Sequence, residues 1–205
     1  MRYPKLRELK EAIKALIKGP YTSKFPYAPH EPSEGFRGRP QFHQEDCMGC
    51  AACSQVCPSG AITFKVELKD GKAVRTLIYK TDLCIFCGQC EANCPTGKGI
   101  TLTREFDLST TGKREGLGHQ IEKEFALCEF CEEAIVPKDQ YVWIANRLGP
   151  LMFTNPAVFL SYLDESSLIT KTTDTILAGK DRTIRRPGRF KILCPKCRRE
   201  AVLKS

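Results

Sequence analysis

The sequence lacks any run of eighteen apolar residues, so no segment is expected to cross a bilayer as a helix. It also lacks an apolar stretch behind its charged start, MRYPKLRELK, which argues against a secretory signal. Disulfides form mainly in the oxidising compartments that such signals lead to. Cysteines in this chain are therefore expected to serve metals rather than a disulfide framework.

Catalytic patterns are missing as well. We find no Gly-rich phosphate loop, no nucleophile with a plausible base and no paired carboxylates in a catalytic setting. The three histidines, His30, His43 and His119, are isolated and match no ligand spacing, which favours surface or packing roles. The sequence makes no case for a substrate site of its own.

Cysteine, by contrast, is abundant, and eight of the twelve residues follow one spacing twice, C-x2-C-x2-C-x3-C-P. Three thiolates two residues apart can wrap one loop around three corners of a cubane, and the trailing proline disfavours continuation as helix. The pattern is typical of bacterial two-cluster ferredoxins, in which the fourth cysteine ligates the other cluster. We therefore predict one [4Fe-4S] cluster on Cys47, Cys50, Cys53 and Cys94, and a second on Cys84, Cys87, Cys90 and Cys57. Zinc at a single CxxC pair is an alternative that fits four cysteines per run less well.

Residues 41–110 are predicted to form an α+β, ferredoxin-like domain with an internal repeat. CMGCAACSQVCPSGAITF aligns with CIFCGQCEANCPTGKGITLT. Between the copies, ITFKVEL and AVRTLIYK are strand-like and are joined across Lys69-Asp70-Gly71-Lys72, a hairpin signal. The apolar shell of the clusters is expected from Met48, Ile62, Ile78, Ile85, Phe86 and Ile100.

Residues 120–205 carry two further CxxC pairs, Cys128 with Cys131 and Cys194 with Cys197. Two such pairs predict a tetrahedral four-thiolate site in a zinc-ribbon-like domain, with zinc favoured and mononuclear iron as the rival. The 62 residues between the pairs must form an insertion. Within it, YVWIANRL and PLMFTNPAVFLSYL are expected to pack as strand and helix.

Residues 1–18 are predicted to form an amphipathic helix, spanning Pro4–Ile17, with Leu6, Leu9, Ile13, Leu16 and Ile17 on one face and basic residues opposite. Such a helix lies on an anionic membrane surface, fills a partner's groove or packs on its own domain, and the sequence leaves these options open. Residues 19–40 are rich in proline and aromatic residues, which predicts an extended arm lying along a protein surface.

The net charge of +8 is unevenly distributed. Residues 1–45 hold nine basic against five acidic side chains, and residues 180–205 hold ten against two, which leaves the middle mildly acidic. RTIRRPGRFK and CPKCRRE have the charge of a nucleic-acid module but little aromatic interleaving, so no nucleic-acid partner is expected.

Taken in order, the basic helix, GFRGRP and the two cysteine runs resemble the eight-iron ferredoxin-like subunit shared by respiratory complex I and the membrane-bound [NiFe] hydrogenases. FRGRPQF, DCMGCAACSQVCPSGAI and DLCIFCGQCEANCPTGKGITLTREFDLS carry the resemblance, which covers about residues 1–110. The C-terminal cysteine pairs, with FKILCPKCRRE, are similar to the formate hydrogenlyase and hydrogenase-4 type subunits, whereas complex I versions lack them. The resemblance therefore favours the hydrogenase branch.

This resemblance implies an electron relay within an oxidoreductase complex, peripheral on the cytoplasmic face of the cell membrane. A low-potential donor would reduce one cluster, and the second would pass single electrons to an iron–sulfur cluster of a hydrogenase small subunit. The equivalent subunit of a complex I-type NADH/quinone or sulfane-reducing complex is the alternative, and a freestanding two-cluster ferredoxin is a further one. The N-terminal helix would hold the subunit against the membrane arm.

Overall fold

A computed structural model describes residues 5–69, 71–112, 114–168 and 191–203. The chain divides into two compact units, Met1–Phe36 and Arg37–Ser205. In the described residues no helix is both long enough and apolar enough to span a bilayer. The basic stretch at 182–190, considered above as a nucleic-acid module, lies outside the described residues.

The first unit contains the predicted amphipathic helix, α1 (Leu6–Lys18). Its first turn is closed by the backbone N–H of Lys5, which donates to the Glu8 carboxylate at 3.0 Å. It ends at Gly19, whose positive φ of 77° suits glycine. No residue of α1 is buried, and its apolar side chains are all exposed. Residues 19–36 contain no helix or strand, in keeping with the predicted arm.

The second unit begins with a repeated, ferredoxin-like half. Its elements are β1 (Pro40–Phe42), α2 (Ala52–Gln55), β2 (Ile62–Lys69), β3 (Lys72–Tyr79), α3 (Gln89–Ala92) and β4 (Ile100–Leu102), with a 3-10 turn at Thr81–Leu83. β1 pairs antiparallel with β4. β2 pairs antiparallel with β3 up to Lys69 opposite Lys72, which confirms the predicted hairpin.

The remainder of the unit extends the same sheet. Its elements are β5 (His119–Leu127), β6 (Ala134–Pro137), α4 (Lys138–Leu148), α5 (Pro156–Glu165) and α6 (Pro195–Leu203), with 3-10 turns at Arg114–Leu117 and Gly149–Thr154. β5 pairs antiparallel with β3, and β6 with β5, giving the strand order β2-β3-β5-β6. The sheet thus crosses the boundary that sequence analysis places between residues 110 and 120.

Strand β5 alternates between the two faces of the sheet because successive side chains of a strand point to opposite sides. Ile121, Lys123 and Phe125 are buried, whereas Glu122 is exposed. Ile121 joins a core that also contains Phe42, Ile62, Leu77, Tyr79 and Ile100. A lysine therefore occupies an inward position of a core strand.

The prediction of a strand within YVWIANRL is wrong, because this segment forms α4. Its aromatic and β-branched letters favour a strand, yet Tyr141 and Ala145 are buried four residues apart, on one helical face. They pack with Ala157 and Val158 of α5. The Asn155 side chain caps α5 by accepting from the backbone N–H of Ala157 at 3.0 Å.

Candidate metal centres

The two cysteine loops have the same backbone turns at equivalent positions. Gly49 and Phe86 have positive φ of 71° and 52°, and Ala51 and Gly88 have positive φ of 64° and 78°. Non-glycine residues adopt this conformation at a cost of about 1–3 kcal/mol. The turn aims backbone amides at sulfur: the N–H groups of Gly49 and Phe86 donate to the sulfurs of Cys47 and Cys84, each at 3.4 Å.

The fourth cysteine of each run also has a matching partner. Cys57 Sγ lies 3.7 Å from Ser59 Oγ, and Cys94 Sγ lies 3.3 Å from Thr96 Oγ1. Hydrogen bonds to ligating sulfur raise the reduction potential of an iron–sulfur cluster. The repeat therefore places the same sulfur-directed donors in both halves.

The eight cysteines are gathered in crossed sets. One cavity is lined by Cys47, Cys50, Cys53 and Cys94. A second cavity is lined by Cys84, Cys87, Cys90 and Cys57. Each cavity thus has three thiols from one loop and one from the other, which is the donor set that a [4Fe-4S] cluster needs. We call them the first and second cluster cavities.

Apolar side chains close both cavities, mostly as predicted. Met48 and Ile100 line the first cavity, and Ile62, Ile85 and Phe86 line the second. Ile78 lines neither, whereas its neighbour Leu77 lines the first. Adjacent strand residues face opposite sides, so the repeat alone does not reveal which of the two points inward.

Cluster binding requires deprotonated cysteines, and the pKa values of the thiols differ along each run. Burial raises the pKa of Cys53 to about 12 and that of its equivalent, Cys90, to about 11. At Cys57 and Cys94 burial also acts to raise the pKa, but hydrogen bonds from the following turn outweigh it and the pKa is lowered. Deprotonation for cluster binding is therefore most costly at the buried third cysteine of each run.

Residues 37–40, the second part of the GFRGRP segment, pack beside the second cavity. Arg37 donates from Nη1 to the carbonyl of Cys87 at 3.3 Å, and Arg39 forms an ion pair with Glu105 at 2.7 Å. Between them, the N–H of Gly38 donates to the carbonyl of Thr103 at 2.9 Å. This segment therefore secures the end of β4 against the second cysteine loop.

Two cations beside the first cavity were not found from the sequence. Lys123 is buried, and its ammonium donates to the carbonyl of Gln44 and to Asp139. Arg75 donates to the carbonyl of Gly49 at 2.7 Å. The sequence does show a lysine at an inward position of β5. Its location over the cysteine loop, however, follows from the pairing of β3 with β5, which the sequence does not show.

Cys128, Cys131, Cys194 and Cys197 form a third four-thiol site. Their sulfurs all lie within 4.8 Å of one another, with Cys131 and Cys194 at 3.7 Å. Tetrahedral bonds of about 2.3 Å put neighbouring sulfurs about 3.8 Å apart. Within the described residues this is the one ligand group close enough to hold a single metal ion. All twelve cysteines of the chain are free thiols.

The four sulfurs come from two separate parts of the chain. Cys128 and Cys131 flank the turn between β5 and β6, and the second pair lies at the start of α6. The N–H of Cys194 donates to the sulfur of Cys128 at 3.3 Å. The zinc-ribbon topology is not confirmed, because the second pair opens a helix instead of sitting on a hairpin.

The predicted histidine roles agree with the contacts of two of the three residues. His43 Nε2 lies 2.7 Å from Thr101 Oγ1, and His119 stacks on Phe42 with ring centroids 5.8 Å apart. Both contacts join β1 and its surroundings to neighbouring strands. The first is a hydrogen bond and the second is a stacking contact.

Comparison with known proteins defines the class of the cysteine-rich half. Residues 46–98 match the family model described as a 4Fe-4S dicluster domain, so this part of the chain is such a domain. The chain is 37% identical over 99 residues to NAD(P)H-quinone oxidoreductase subunit I of Gloeobacter violaceus, covering 47% of each chain. It is 40% identical over 118 residues to formate hydrogenlyase subunit 6 of Escherichia coli, covering 57% of this chain and 62% of that protein.

These relatives confirm the predicted resemblance in both of its branches, a quinone oxidoreductase and a formate hydrogenlyase. The chain spans about half of the first relative and about three-fifths of the second. A chain of the membrane-bound sulfane sulfur reductase, an archaeal respiratory membrane complex, is 30% identical with a TM-score of 0.41. That match covers 57% of this chain and 62% of that chain.

Proposed function

We propose that the chain is an electron-transfer subunit of a membrane-bound, multi-subunit oxidoreductase and relays single electrons through two [4Fe-4S] clusters. The observation that carries this proposal is the pair of crossed four-thiol cavities. Cys47, Cys50, Cys53 and Cys94 hold one cluster, and Cys84, Cys87, Cys90 and Cys57 hold the other. When bound, the clusters supply one-electron redox chemistry, and the chain supplies ligands, sulfur-directed amides and an apolar enclosure.

The hydrogenase branch is the best-supported setting. The similarity to formate hydrogenlyase subunit 6 extends over 118 residues, against 98 to 110 residues for the quinone oxidoreductase subunits. The subunit then lies between a low-potential iron–sulfur donor and the small and large subunits of a membrane-bound [NiFe] hydrogenase. The substrate chemistry belongs to those partners.

A complex I-type or sulfane-reducing complex is the second candidate setting. Its support is the 37% identity to NAD(P)H-quinone oxidoreductase subunit I. Purification of the native complex through a tag on this subunit separates the settings. Hydrogen evolution supports the hydrogenase setting, whereas quinone or sulfane reduction without hydrogenase activity supports the second one. A tagged chain that purifies alone from membranes and cytosol contradicts both and supports a freestanding ferredoxin.

The N-terminal unit provides the attachment to this complex. The apolar residues of α1 and the aromatic rings of Tyr21 and Tyr27 are exposed in the isolated chain. An exposed apolar stripe beside basic residues suits a surface formed by anionic headgroups and membrane subunits. We place the subunit peripherally, on the cytoplasmic face of the membrane.

The third four-thiol site holds a structural Zn²⁺. Four thiolates closing a site around one ion are typical of structural zinc, which has no redox chemistry. The ion would join the β5–β6 turn to α6 across the 62 intervening residues. It would act as a crosslink, outside the electron path.

Metal and sulfide analysis of the anaerobically purified chain tests both sets of sites. About eight iron, eight acid-labile sulfide and one zinc per chain are expected. About nine iron without zinc would make the third site a mononuclear iron centre. Zinc in all sites with no sulfide would overturn the electron-transfer function.

A further inference from the structure

The two cysteine loops share a backbone but differ in what packs on them. At Gly49, an added Cβ would lie 2.9 Å from Lys123 Cβ and 3.2 Å from Pro137 Cβ. The equivalent residue of the second loop, Phe86, carries a large side chain that lines its own cavity. Glycine is therefore needed in the first loop because β5 and β6 press directly against it.

Lys123 brings a buried positive charge to this contact. The residue is 6% exposed, in line with Ile121 and Phe125 on the inner face of β5. Its ammonium donates to the carbonyl of Gln44 and to Asp139 Oδ2 at 2.6 Å. Gln44 and Gly49 bracket Cys47, so both the stem and the head of the lysine contact the loop that carries this ligand.

Asp139 does not cancel the field of Lys123 at the loop. The carboxylate side chain is 45% exposed, whereas the lysine side chain is 7% exposed. Water screens the exposed anion far more strongly than the buried cation. The pair therefore acts as a dipole whose positive end is fixed inside, against the cysteine loop.

Arg75 adds a second cation to the same loop. Its guanidinium lies between the rings of Phe64 and Phe125, 4.9 Å and 4.8 Å from their centroids. Nη1 donates to the carbonyl of Gly49 at 2.7 Å. Arginine stays protonated at any physiological pH, so this charge is permanent.

The second loop has a weaker counterpart. Arg37 donates to the carbonyl of Cys87 at 3.3 Å, but this contact is exposed to solvent. The side chain of Arg39, in the same segment, is 28% exposed, against 7% for Lys123, and forms an ion pair with Glu105. Charges in contact with water are screened within about 10 Å at 0.1 M salt. The two cavities thus have matching sulfur-directed donors and unequal electrostatic surroundings.

We propose that Lys123 and Arg75 hold the cluster of the first cavity at a higher reduction potential than the cluster of the second. The inference rests on the proposed function. Reduction of either cluster adds one electron and one negative charge, which a buried cation stabilises. An iron–sulfur donor of low potential then reduces the second cluster, which loses that electron to the first without proton transfer. Ile85, which lines the second cavity and is 61% exposed, provides a contact for this donor.

A redox titration followed by electron paramagnetic resonance, on the full anaerobically purified chain with dithionite as reductant, tests this inference. The wild-type chain should show two separated one-electron steps. Lys123→Met and Arg75→Met should each lower the more positive midpoint and leave the other in place. Asp139→Asn, which frees the lysine charge, should raise that same midpoint. Lys69→Met removes an exposed cation of the same sheet, paired with Glu122, and should shift neither.

Equal shifts of both midpoints, or no shift with Lys123→Met, would overturn the inference. If Lys123→Met does not fold, Asp139→Asn still tests the inference. This variant keeps the lysine, and we expect its midpoint potential to shift in the opposite direction. A wild-type chain without two reducible [4Fe-4S] clusters would instead contradict the proposed function, so the two failures are distinct.

Discussion

Gly38 packs directly against the backbone that follows β4. An added Cβ would lie 2.5 Å from the carbonyl oxygens of both Thr103 and Glu105, and backbone atoms cannot rotate away. Gly35, three residues earlier, has open space around the same position. The two glycines of GFRG therefore have different roles, although the sequence presents them alike.

Gly38→Ala should destabilise the second unit by about 1–3 kcal/mol, the usual cost of forcing extra atoms into a packed site. Thermal unfolding of the cluster-loaded chain measures this, with Gly35→Ala as the matched control. Equal melting temperatures for the two variants would show that the β4 segment moves aside freely.

Each cavity is lined by three thiols of one run and one of the other, as the cysteine spacing predicted, and this crossed arrangement can be tested by mutation. Cys94→Ser removes the fourth thiol from the first cavity, although it belongs to the second run. Bound iron should fall from about eight to about four per chain. The surviving redox step should be the one that Lys123→Met does not move.

Cys57→Ser is the mirror control, because Cys57 lines the second cavity. In that variant the step sensitive to Lys123→Met should survive. The opposite pairing of losses would show that each run ligates its own cluster. Iron analysis with electron paramagnetic resonance distinguishes the two arrangements.

At the level of single residues, the sequence spacing predicted which cysteines come together in each cavity, but not which cations lie beside them. The geometry of a loop around a cluster fixes the distances along the chain between its cysteines, so these residues can be recognised from local spacing. Lys123 contacts a carbonyl 79 residues away, and Arg75 contacts one 26 residues away. Such contacts depend on which strands pair, and one sequence does not specify that.

Among the elements, β5 connects the cluster domain to the C-terminal part of the chain. It covers the edge of β3 that would otherwise be unpaired, and exposed strand edges favour association with other chains. The alternation of β5 is visible in the sequence, but the pairing partner is not. The local patterns of β2, β3 and α1 were sufficient for their prediction, whereas tertiary packing overrode the strand-like letters of α4.

Helix α1 should be required for attachment and not for cluster binding. Deletion of residues 1–18 removes the exposed apolar stripe and leaves the Arg37–Ser205 unit whole. We expect the subunit to shift from the membrane fraction to the supernatant, with iron and sulfide content unchanged.

A gentler variant controls for deletion artefacts. Leu9→Glu with Ile13→Glu keeps the length of α1 but places charge on its apolar stripe, and it should weaken membrane association in the same way. Lys10→Gln with Lys14→Gln changes only the basic face. Retention of the Glu variant in the membrane fraction would contradict the proposed role.

Over the whole molecule, the third site connects parts of the chain that are far apart in sequence. Cys197→Ser removes one of the four thiols of the proposed zinc site, and a structural zinc site of this kind needs all four. The free energy of unfolding should fall by about 2–5 kcal/mol, the range for opening a crosslink that closes a long loop.

Metal analysis of Cys197→Ser should show zinc lost and about eight iron retained, since the cluster cavities contain none of these four cysteines. Calorimetry gives the change in stability. Loss of iron together with zinc would show that the third site belongs to the electron path.

The placement of β5 over the first cysteine loop also has a consequence for biosynthesis. Synthesis proceeds from the N-terminus, so all eight predicted cluster ligands are made before β5. The loop around Cys47 stays accessible to iron and sulfide delivery until Lys123 and Pro137 dock on Gly49. Docking of β5 and β6 then covers the first cysteine loop, so we expect the first cavity to be filled before these two strands take their final place.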